Sequence, residues 1–156
     1  MGNIIRSGLP PLTESLFWTM NQAYRVETEL SEKQGDVVLV DRYIYTPITF
    51  QYLFLRGEGA TLDDVSDYIS KPFGIPLPEP DISLVLTAPI NTLKERFRKR
   101  EGRDMSPNEQ QLTEQALEVY KQLGERFKNY FLLDSNRPVD EIYRETEQKI
   151  KERGII

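Results

Sequence analysis

The chain is 156 residues long, which is enough for one domain that buries its own core. Its 25 acidic residues outnumber its 20 Lys and Arg residues, so the formal charge is −5. This balance argues against a general nucleic-acid-binding protein, which needs excess positive charge. The sequence contains neither cysteine nor histidine, which excludes disulfides, thiolate metal sites and Ser-His triads. Any chemistry therefore relies on carboxylates, arginine, lysine and hydroxyl groups.

The apolar runs of the sequence are short. None approaches the length of about 20 residues that a membrane-spanning helix needs, and the amino-terminal residues lack the long apolar stretch of a secretory signal. We therefore expect an intracellular, cytoplasmic protein that does not engage a membrane.

The first predicted elements are a long helix and a buried strand. Apolar residues recur at helical spacing after a Pro-Pro pair, which predicts a helix over 14–33 with Thr13 as its N-cap and Gly35 after its end. The next segment, 37–40, reads Val-Val-Leu-Val. A short apolar run without alternation is typical of a strand that is buried on both faces of a parallel sheet.

Two helices and a loop are predicted before the middle of the chain. Thr46 precedes a proline, a pattern that favours a helix start and predicts a helix over 47–56. Thr61 and Asp64 have the spacing of a capping box, which indicates the start of a further short helix. The segment 72–80 contains four prolines and is predicted to be a loop.

The second half of the chain alternates strands with helices. The predicted elements are a strand over 82–86, a helix over 90–100, a helix over 107–123, a strand over 130–133 and a last helix that starts after Pro138. Ser106 and Glu109 have the spacing of a second capping box. The side chains that we expect the last helix to bury are Val139, Ile142, Tyr143 and Ile150.

This order predicts the fold class. Strands separated by helices indicate an α/β protein with a three-layer parallel sheet and flanking helices, and we treat 1–156 as a single domain. Ligands of such sheets bind beyond the carboxyl ends of the strands. The residues that follow the three predicted strands are Asp41 and Arg42, then Thr87, then Asp134, Ser135 and Asn136.

Asp41 and Arg42 are the first candidates for chemistry. Asp is a ligand for Mg²⁺, and Arg can hold a phosphate through two parallel hydrogen bonds. The alternative is an ion pair that ends the strand, and the spacing alone leaves both interpretations open.

Two aromatic positions and one amide are weaker candidates. Gln51 could pair with the edge of a base while Phe50 shapes a pocket, and Phe17 beside Trp18 could stack on a base. Taken alone, each pattern favours the simpler interpretation, in which the rings belong to the core and the amide faces solvent.

A dense basic cluster is predicted at the end of the helix over 90–100 and in the polar break after it. Its members are Arg96, Arg98, Lys99, Arg100 and Arg103. Positive charge at a helix C-terminus complements the helix dipole. The functional alternative, which we favour, is a mobile lid over about 96–106 whose arginines neutralise a phosphoryl group during transfer.

Taken together, these segments resemble the thymidylate kinases, which are nucleoside-monophosphate kinases of the P-loop superfamily. The resemblance extends from about residue 16 to the carboxyl terminus and is strongest over VVLVDRYIYTPITFQ. There the family pattern is an apolar strand, Asp-Arg-Tyr, a small hydroxyl residue three positions later and an aromatic-Gln pair. The matching positions are Asp41, Arg42, Tyr43, Thr46, Phe50 and Gln51.

The resemblance also implies roles for individual residues. The substrate nucleotide would contact Phe17, Arg25, Arg42, Tyr43, Thr46, Phe50 and Gln51. The catalytic group would be Asp41, Arg42, Arg96 and Arg100, with Asp41 beside Mg²⁺. Residues near ATP would be Arg103, Ser135 and Asn136. One departure concerns the base, because Asn21 stands where the family usually has an arginine, and Arg25 follows one turn later.

A second departure concerns the phosphate donor. The sequence holds no G-x-x-x-x-G-K-[ST] motif, whose backbone N–H groups and lysine hold the phosphates of ATP. We therefore expect an amino-terminally incomplete P-loop-kinase-like fold that lacks the first βαβ portion, with a gap where the family's central strand would lie. By itself, such a chain should be close to inert.

Three interpretations of function follow from the resemblance. One is phosphoryl transfer from ATP to dTMP, giving dTDP, with Mg²⁺ and ATP as cofactors and the donor loop supplied by upstream sequence or by a separate chain. Another is an inactive subunit that binds a nucleotide, and a third is an interaction subunit that pairs through its open sheet edge. Members of the family are often homodimers, so a homodimer is a further expected partner arrangement.

Overall fold

The computed structural model describes residues 10–30 and 37–156. The chain divides into two compact units at Pro78. The first unit is helical, the second combines helices with a parallel sheet, and each is described by itself below.

The first unit begins with helix α1 (Pro11–Arg25), which continues into a π-helical turn (Val26–Leu30). The prediction of Thr13 as the N-cap is wrong, because α1 starts three residues earlier than predicted, with Pro10 as the N-cap and proline in its first position. Proline has a backbone φ suited to a helix, and its missing N–H has no partner to lose in the first turn. The predicted helix end at Gly35 lies outside the described residues.

Helix α2 (Tyr45–Leu55) packs between α1 and a third helix, α3 (Leu62–Ser70). Ile44 precedes α2 where the sequence predicted Thr46, so that start is wrong by two residues. Ile48 is fully buried and anchors α2 in this unit. Packing of apolar side chains on both sides of α2 therefore outweighs the local preference for threonine at the cap.

The capping box of α3 is confirmed. The Thr61 hydroxyl accepts a hydrogen bond from the Asp64 N–H at 3.1 Å, and the Asp64 carboxylate accepts one from the Thr61 N–H at 2.9 Å. These two bonds satisfy donors that a helix start would otherwise leave unpaired. The predicted loop after α3 is likewise present, with a short 3-10 turn (Pro72–Gly74) and no strand between residues 71 and 82.

The strand predicted over 37–40 is wrong. The segment has no assigned secondary structure, and Leu39 at its centre is 91% exposed. An extended segment becomes a strand only when a neighbouring strand pairs with its backbone. Within residues 10–30 and 37–156 no strand does so. The apolar composition of this run is typical of a strand, but the described residues supply no strand that pairs with it.

The second unit contains the sheet. Strand β1 (Ser83–Thr87) and strand β2 (Tyr130–Asp134) run parallel, with Ser83 opposite Tyr130 and Thr87 opposite Asp134. Helices α4 (Ile90–Glu101) and α5 (Pro107–Arg126) connect the two strands. The α/β class is thus confirmed, and the part of the sheet that the structure describes has two strands, not three.

The core of this unit lies between α5 and β2. Its buried side chains come from one face of the helix and from both ends of the strand, and they are Ala116, Val119, Leu123, Tyr130 and Leu133. The predicted capping box is also present, since the Ser106 hydroxyl accepts from the Glu109 N–H at 3.3 Å. Proline after Ser106 then begins α5 as predicted.

Helix α6 (Val139–Glu152) follows Pro138, as predicted, but its expected buried face is partly wrong. Val139 and Tyr143 are exposed, whereas Ile142 and Ile150 are partly buried. The two strands that the structure describes cover little area, so among the described residues part of the apolar surface of α6 stays exposed.

None of the helices in the described ranges combines the length and the apolar character needed to cross a bilayer.

Candidate functional site

The loop before α2 presents the two residues that the sequence singled out first. Asp41 and Arg42 are both exposed, so neither is lost in the interior. Arg42 has a backbone φ of +55°, in the left-handed region that costs a residue other than glycine about 1–3 kcal/mol. The surrounding structure must offset this strain, and such strained residues concentrate at binding and catalytic sites.

Tyr43 anchors this loop. Its hydroxyl donates a hydrogen bond to the Pro78 carbonyl oxygen at 3.0 Å, 35 residues further along the chain. Burial raises the pKa of the Tyr43 phenol, and the positive charge of Arg25 partly opposes that rise. The charge of Arg25 is therefore close enough to Tyr43 to affect its phenol.

The remaining first-unit candidates lie on α1 and α2. Phe17 is partly buried and packs edge-to-face on Trp18, with ring centroids 6.3 Å apart. Phe50 and Thr46 are also partly buried, while Gln51 is completely buried. The expectation that Gln51 alone would face solvent is thus wrong, because the packing of α2 on its neighbours encloses that position.

Two buried glutamines stand out in this unit. Gln22 on α1 and Gln51 on α2 are each 0% exposed. Among the described residues, neither the amide nitrogen nor the amide oxygen of either side chain has a hydrogen-bond partner. Leaving a buried polar group unpaired costs about 1–3 kcal/mol. Gln22 carries no signal in the sequence alone, because a polar residue on a helix is unusual only once its face of the helix is known to be buried.

The second unit places a different set of candidates at the carboxyl ends of its strands. Arg96 on α4 donates to the Ser135 hydroxyl at 2.8 Å and to the Ser135 carbonyl oxygen at 2.7 Å. Thr92 donates to the Asn136 side-chain oxygen at 3.0 Å, and the Ser135 N–H donates to the Thr87 carbonyl oxygen at 2.7 Å. The structure therefore brings Arg96, Ser135 and Asn136 together at the end of the sheet where ligands of α/β proteins bind.

Arg103 and Arg100 lie at the break between α4 and α5. Arg103 donates two hydrogen bonds to the Glu109 carboxylate at 2.7 and 2.8 Å and lies over the Phe97 ring, 4.9 Å from its centroid. Arg100 is paired with its neighbour Glu101 at 2.8 Å. Both cations thus have carboxylate partners on the protein itself.

The Glu109 carboxylate titrates unusually because of these contacts. Its hydrogen bonds with Arg103, and next with the Ser106 N–H, hold the pKa of Glu109 far below its usual range. The same pairing raises the pKa of Arg103. The capping box of α5 and the cation of the predicted lid are therefore one connected group.

We expect Arg103→Ala to raise the pKa of Glu109 toward the ordinary value of 4.5. A depressed folded-state pKa contributes stability above the unfolded-state pKa and loses it as the pH falls toward the folded-state pKa. The wild-type protein should therefore lose this contribution below pH 4.5, and Arg103→Ala should lose less of it. NMR titration of the Glu109 carboxyl carbon measures the pKa. Arg98→Ala removes an exposed cation of the same cluster and should leave the pKa of Glu109 unchanged. A pKa shift as large as that in Arg103→Ala would contradict the assignment of Arg103 as the partner of Glu109.

The carboxylates limit what metal this chain could hold. Within the described ranges there is no group of three or more acidic residues placed to bind a metal ion. Asp41 is a single exposed carboxylate. Mg²⁺ in nucleotide-binding proteins commonly uses one or two carboxylates together with substrate phosphates and water. Asp41 therefore fits a metal that is shared with a nucleotide, and does not fit a site built from protein alone.

Ligands of α/β sheets commonly bind beyond the carboxyl ends of the strands. Comparison with known families identifies the family of this chain. A family model described as thymidylate kinase matches residues 2–146. The match covers most of the sequence, and the chain belongs to the thymidylate kinase family.

Curated relatives agree with the family match. The chain is 24% identical over 135 residues to a thymidylate kinase of Fervidobacterium nodosum, covering 85% of this chain and 66% of that protein. It is 24% identical over 122 residues to a probable thymidylate kinase of Caldivirga maquilingensis, covering 78% and 55%. A thymidylate kinase of Finegoldia magna is 22% identical over 147 residues, covering 92% and 70%. The chain thus spans between about half and about two thirds of the length of these relatives.

Proposed function

We propose that this chain carries the acceptor half of a thymidylate kinase and takes part in phosphoryl transfer from ATP to dTMP, giving dTDP. One observation carries the proposal: the family's Asp-Arg-Tyr block is present in register, with Asp41 and Arg42 exposed and Arg42 in a strained backbone conformation. The strain supports a role in binding, since strained backbone conformations concentrate at binding and catalytic sites.

In this proposal the first unit binds the nucleoside monophosphate. Arg42 holds its phosphate through paired, charge-assisted hydrogen bonds, and Arg25 adds a second positive charge close to Tyr43. Phe17, Thr46 and Phe50 enclose the base and the sugar. Asp41 would hold Mg²⁺ together with the phosphates, and the ion supplies neutralisation of the charge that builds up during transfer.

The second unit would serve the donor side. Ser135 and Asn136 would lie beside adenine, and Arg96 and Arg100 would stabilise the transferring group. Arg103 would reach a phosphate only after leaving Glu109, with which it is paired at 2.7 Å. Exchange of one anionic partner for another is compatible with the proposed lid, because an exposed ion pair is weak in water.

The test separates binding from turnover. Calorimetry with dTMP should detect binding to this chain at micromolar concentrations, whereas ADP formation from Mg-ATP and dTMP should stay at background. ADP formation should rise when a segment containing G-x-x-x-x-G-K-[ST] is supplied, either fused upstream or as a second chain. Absence of dTMP binding would reject the proposal. Binding without turnover in the supplemented protein would instead support the alternative of an inactive nucleotide-binding subunit.

The partner is a proposal as well. Leu16, Met20 and Tyr24 form an exposed apolar stripe on α1 at spacings of four residues, which supports a homodimer or a separate chain that supplies the donor loop. Sedimentation velocity of the purified chain distinguishes these cases. A dimer supports the homodimer, whereas a monomer contradicts it and supports a separate chain as the partner. We expect the cytoplasm as the compartment.

A further inference from the structure

The loop that carries Asp41 and Arg42 is anchored by the residues that follow it. Leu39, which precedes the loop, is exposed, whereas Ile44, which follows it, is buried in the first unit. Among the residues that the structure describes, burial thus fixes the chain after Arg42 more firmly than the chain before it. Tyr43 lies between Arg42 and the buried Ile44, so its contacts bear directly on the conformation of Arg42.

The Tyr43 side chain ties this loop to a distant segment of the same unit. Its hydroxyl donates a hydrogen bond to the Pro78 carbonyl oxygen at 3.0 Å. The acceptor is itself held in place, because the preceding residue, Leu77, is buried and its N–H donates to the Ser70 carbonyl oxygen at 2.8 Å. Ser70 is the last residue of α3. The Tyr43 hydrogen bond therefore joins the 41–43 loop to a segment that α3 fixes.

The proton of the Tyr43 hydroxyl is used within the protein. Burial raises the pKa of the phenol, so the hydroxyl keeps its proton at neutral pH and remains a donor. A tyrosine hydroxyl has one proton to donate, and in this structure Pro78 receives it. The hydroxyl is therefore better placed to hold the loop than to donate to a nucleotide.

Arg42 adopts its left-handed conformation directly beside this hydrogen bond. Its φ of +55° is costly for a residue that has a side chain beyond the α-carbon. The net contribution of one hydrogen bond to stability is of the same order as that cost. The hydrogen bond of the next residue is therefore sufficient in magnitude to hold Arg42 in the strained conformation.

We propose that Tyr43 is a positioning residue, whose hydrogen bond to Pro78 holds Arg42 in the left-handed conformation in which its exposed guanidinium meets the substrate phosphate. The inference rests on the proposed function, in which Arg42 is the phosphate ligand. A side chain that is fixed before its ligand arrives loses less conformational freedom on binding. Loss of the Tyr43 hydroxyl therefore weakens binding without removing any contact with the nucleotide.

The first test removes the hydroxyl and keeps the ring. Tyr43→Phe should weaken dTMP binding in calorimetry by about 3–10-fold, because residue 42 then returns largely to ordinary backbone conformations. In NMR spectra of the same variant, the strong Overhauser effect between the amide and α protons of residue 42, which a positive φ produces, should weaken. Tyr52→Phe makes the same change at a partly buried tyrosine of α2 and should alter neither quantity.

The outcomes of this test separate two failures. Unchanged dTMP affinity in Tyr43→Phe overturns the inference and leaves the proposed function standing. Failure of the unmodified chain to bind dTMP rejects the proposed function itself. Equal losses of affinity in Tyr43→Phe and Tyr52→Phe would mean that any lost hydroxyl of this unit weakens binding, and would also overturn the inference.

The second test asks whether Tyr43 acts through Arg42. In the Arg42→Ala background, Tyr43→Phe should change dTMP affinity by less than about twofold, because the guanidinium that the hydroxyl positions is already gone. NMR titration with dTMP measures the weaker affinities of these variants. A direct contact between the hydroxyl and the nucleotide would give the same loss in both backgrounds, and that result would overturn the positioning role.

The third test measures the strain without any nucleotide. Glycine adopts a positive φ without steric cost, so Arg42→Gly relieves strain only where the conformation is enforced. The melting temperature should change by about 2–4 °C more favourably on Arg42→Gly in the unmodified background than in Tyr43→Phe. The effect of glycine on the unfolded chain is the same in both backgrounds and cancels. Equal changes in both backgrounds would show that Tyr43 does not hold residue 42 and would overturn the inference.

Discussion

Arg42→Ala is expected to weaken dTMP binding by about 10–100-fold, because hydrogen bonds to charged groups contribute about 1.5–3 kcal/mol and each 1.4 kcal/mol is about tenfold in affinity. The guanidinium is exposed, so the substitution removes no core packing. Alanine and arginine pay a similar cost to adopt the φ of +55° at this position, so the free energy of unfolding should change little. Calorimetry and thermal melting measure the two quantities.

Two further variants sharpen this result. Arg42→Lys keeps the charge but loses the planar fork that matches two phosphate oxygens, so it should restore only part of the affinity. Arg56→Ala removes another exposed arginine of the same unit and should leave dTMP binding within about twofold of the wild type. Equal losses in Arg42→Ala and Arg56→Ala would mean that only net charge matters, and would remove the case for Arg42 as the phosphate ligand.

Leu133→Ala is expected to destabilise the protein by about 2–5 kcal/mol, the range for truncation of a buried leucine. Leu133 on β2 is 1% exposed, and its opposite residue on β1, Leu86, is 62% exposed. Because α5 packs on β2, truncating Leu133 removes apolar contacts and leaves a cavity that the helix cannot fill.

Leu86→Ala is the matched control, since it removes the same atoms one strand away and should cost less than about 1 kcal/mol. Urea unfolding followed by circular dichroism gives both free energies of unfolding. A loss at Leu86 as large as the loss at Leu133 would show that another chain or segment covers β1 in solution, and would contradict the exposure described for it.

Local signals were sufficient for the helix starts that rest on capping boxes. Thr61 with Asp64, and Ser106 with Glu109, were predicted from four-residue patterns and form the expected reciprocal hydrogen bonds. Every atom in such a box lies within one helical turn, so no distant residue is needed to form it. The start of α2 shows the limit, because there the packing of Ile48 outweighed the cap preference of Thr46.

The errors in the fold concern partners that are distant in sequence. Residues 37–40 have the composition of a buried strand, yet a strand also needs a paired neighbour, and composition does not report whether one is present. Val139 and Tyr143 have the spacing of a buried helix face, yet the two-stranded sheet covers too little area to bury them. Both predictions assumed a wider sheet than the described residues form.

The sequence by itself determined the family, the α/β class and the candidate residues Asp41 and Arg42, because these depend on residue identity at fixed spacing along one segment. Tertiary structure decided which candidates have partners: Arg96 is held by Ser135, Arg103 by Glu109, and the amides of Gln22 and Gln51 are buried with no bond from the described residues. The physical reason is that hydrogen bonding and burial are properties of a neighbourhood, and the neighbours of a side chain come mostly from elsewhere in the chain.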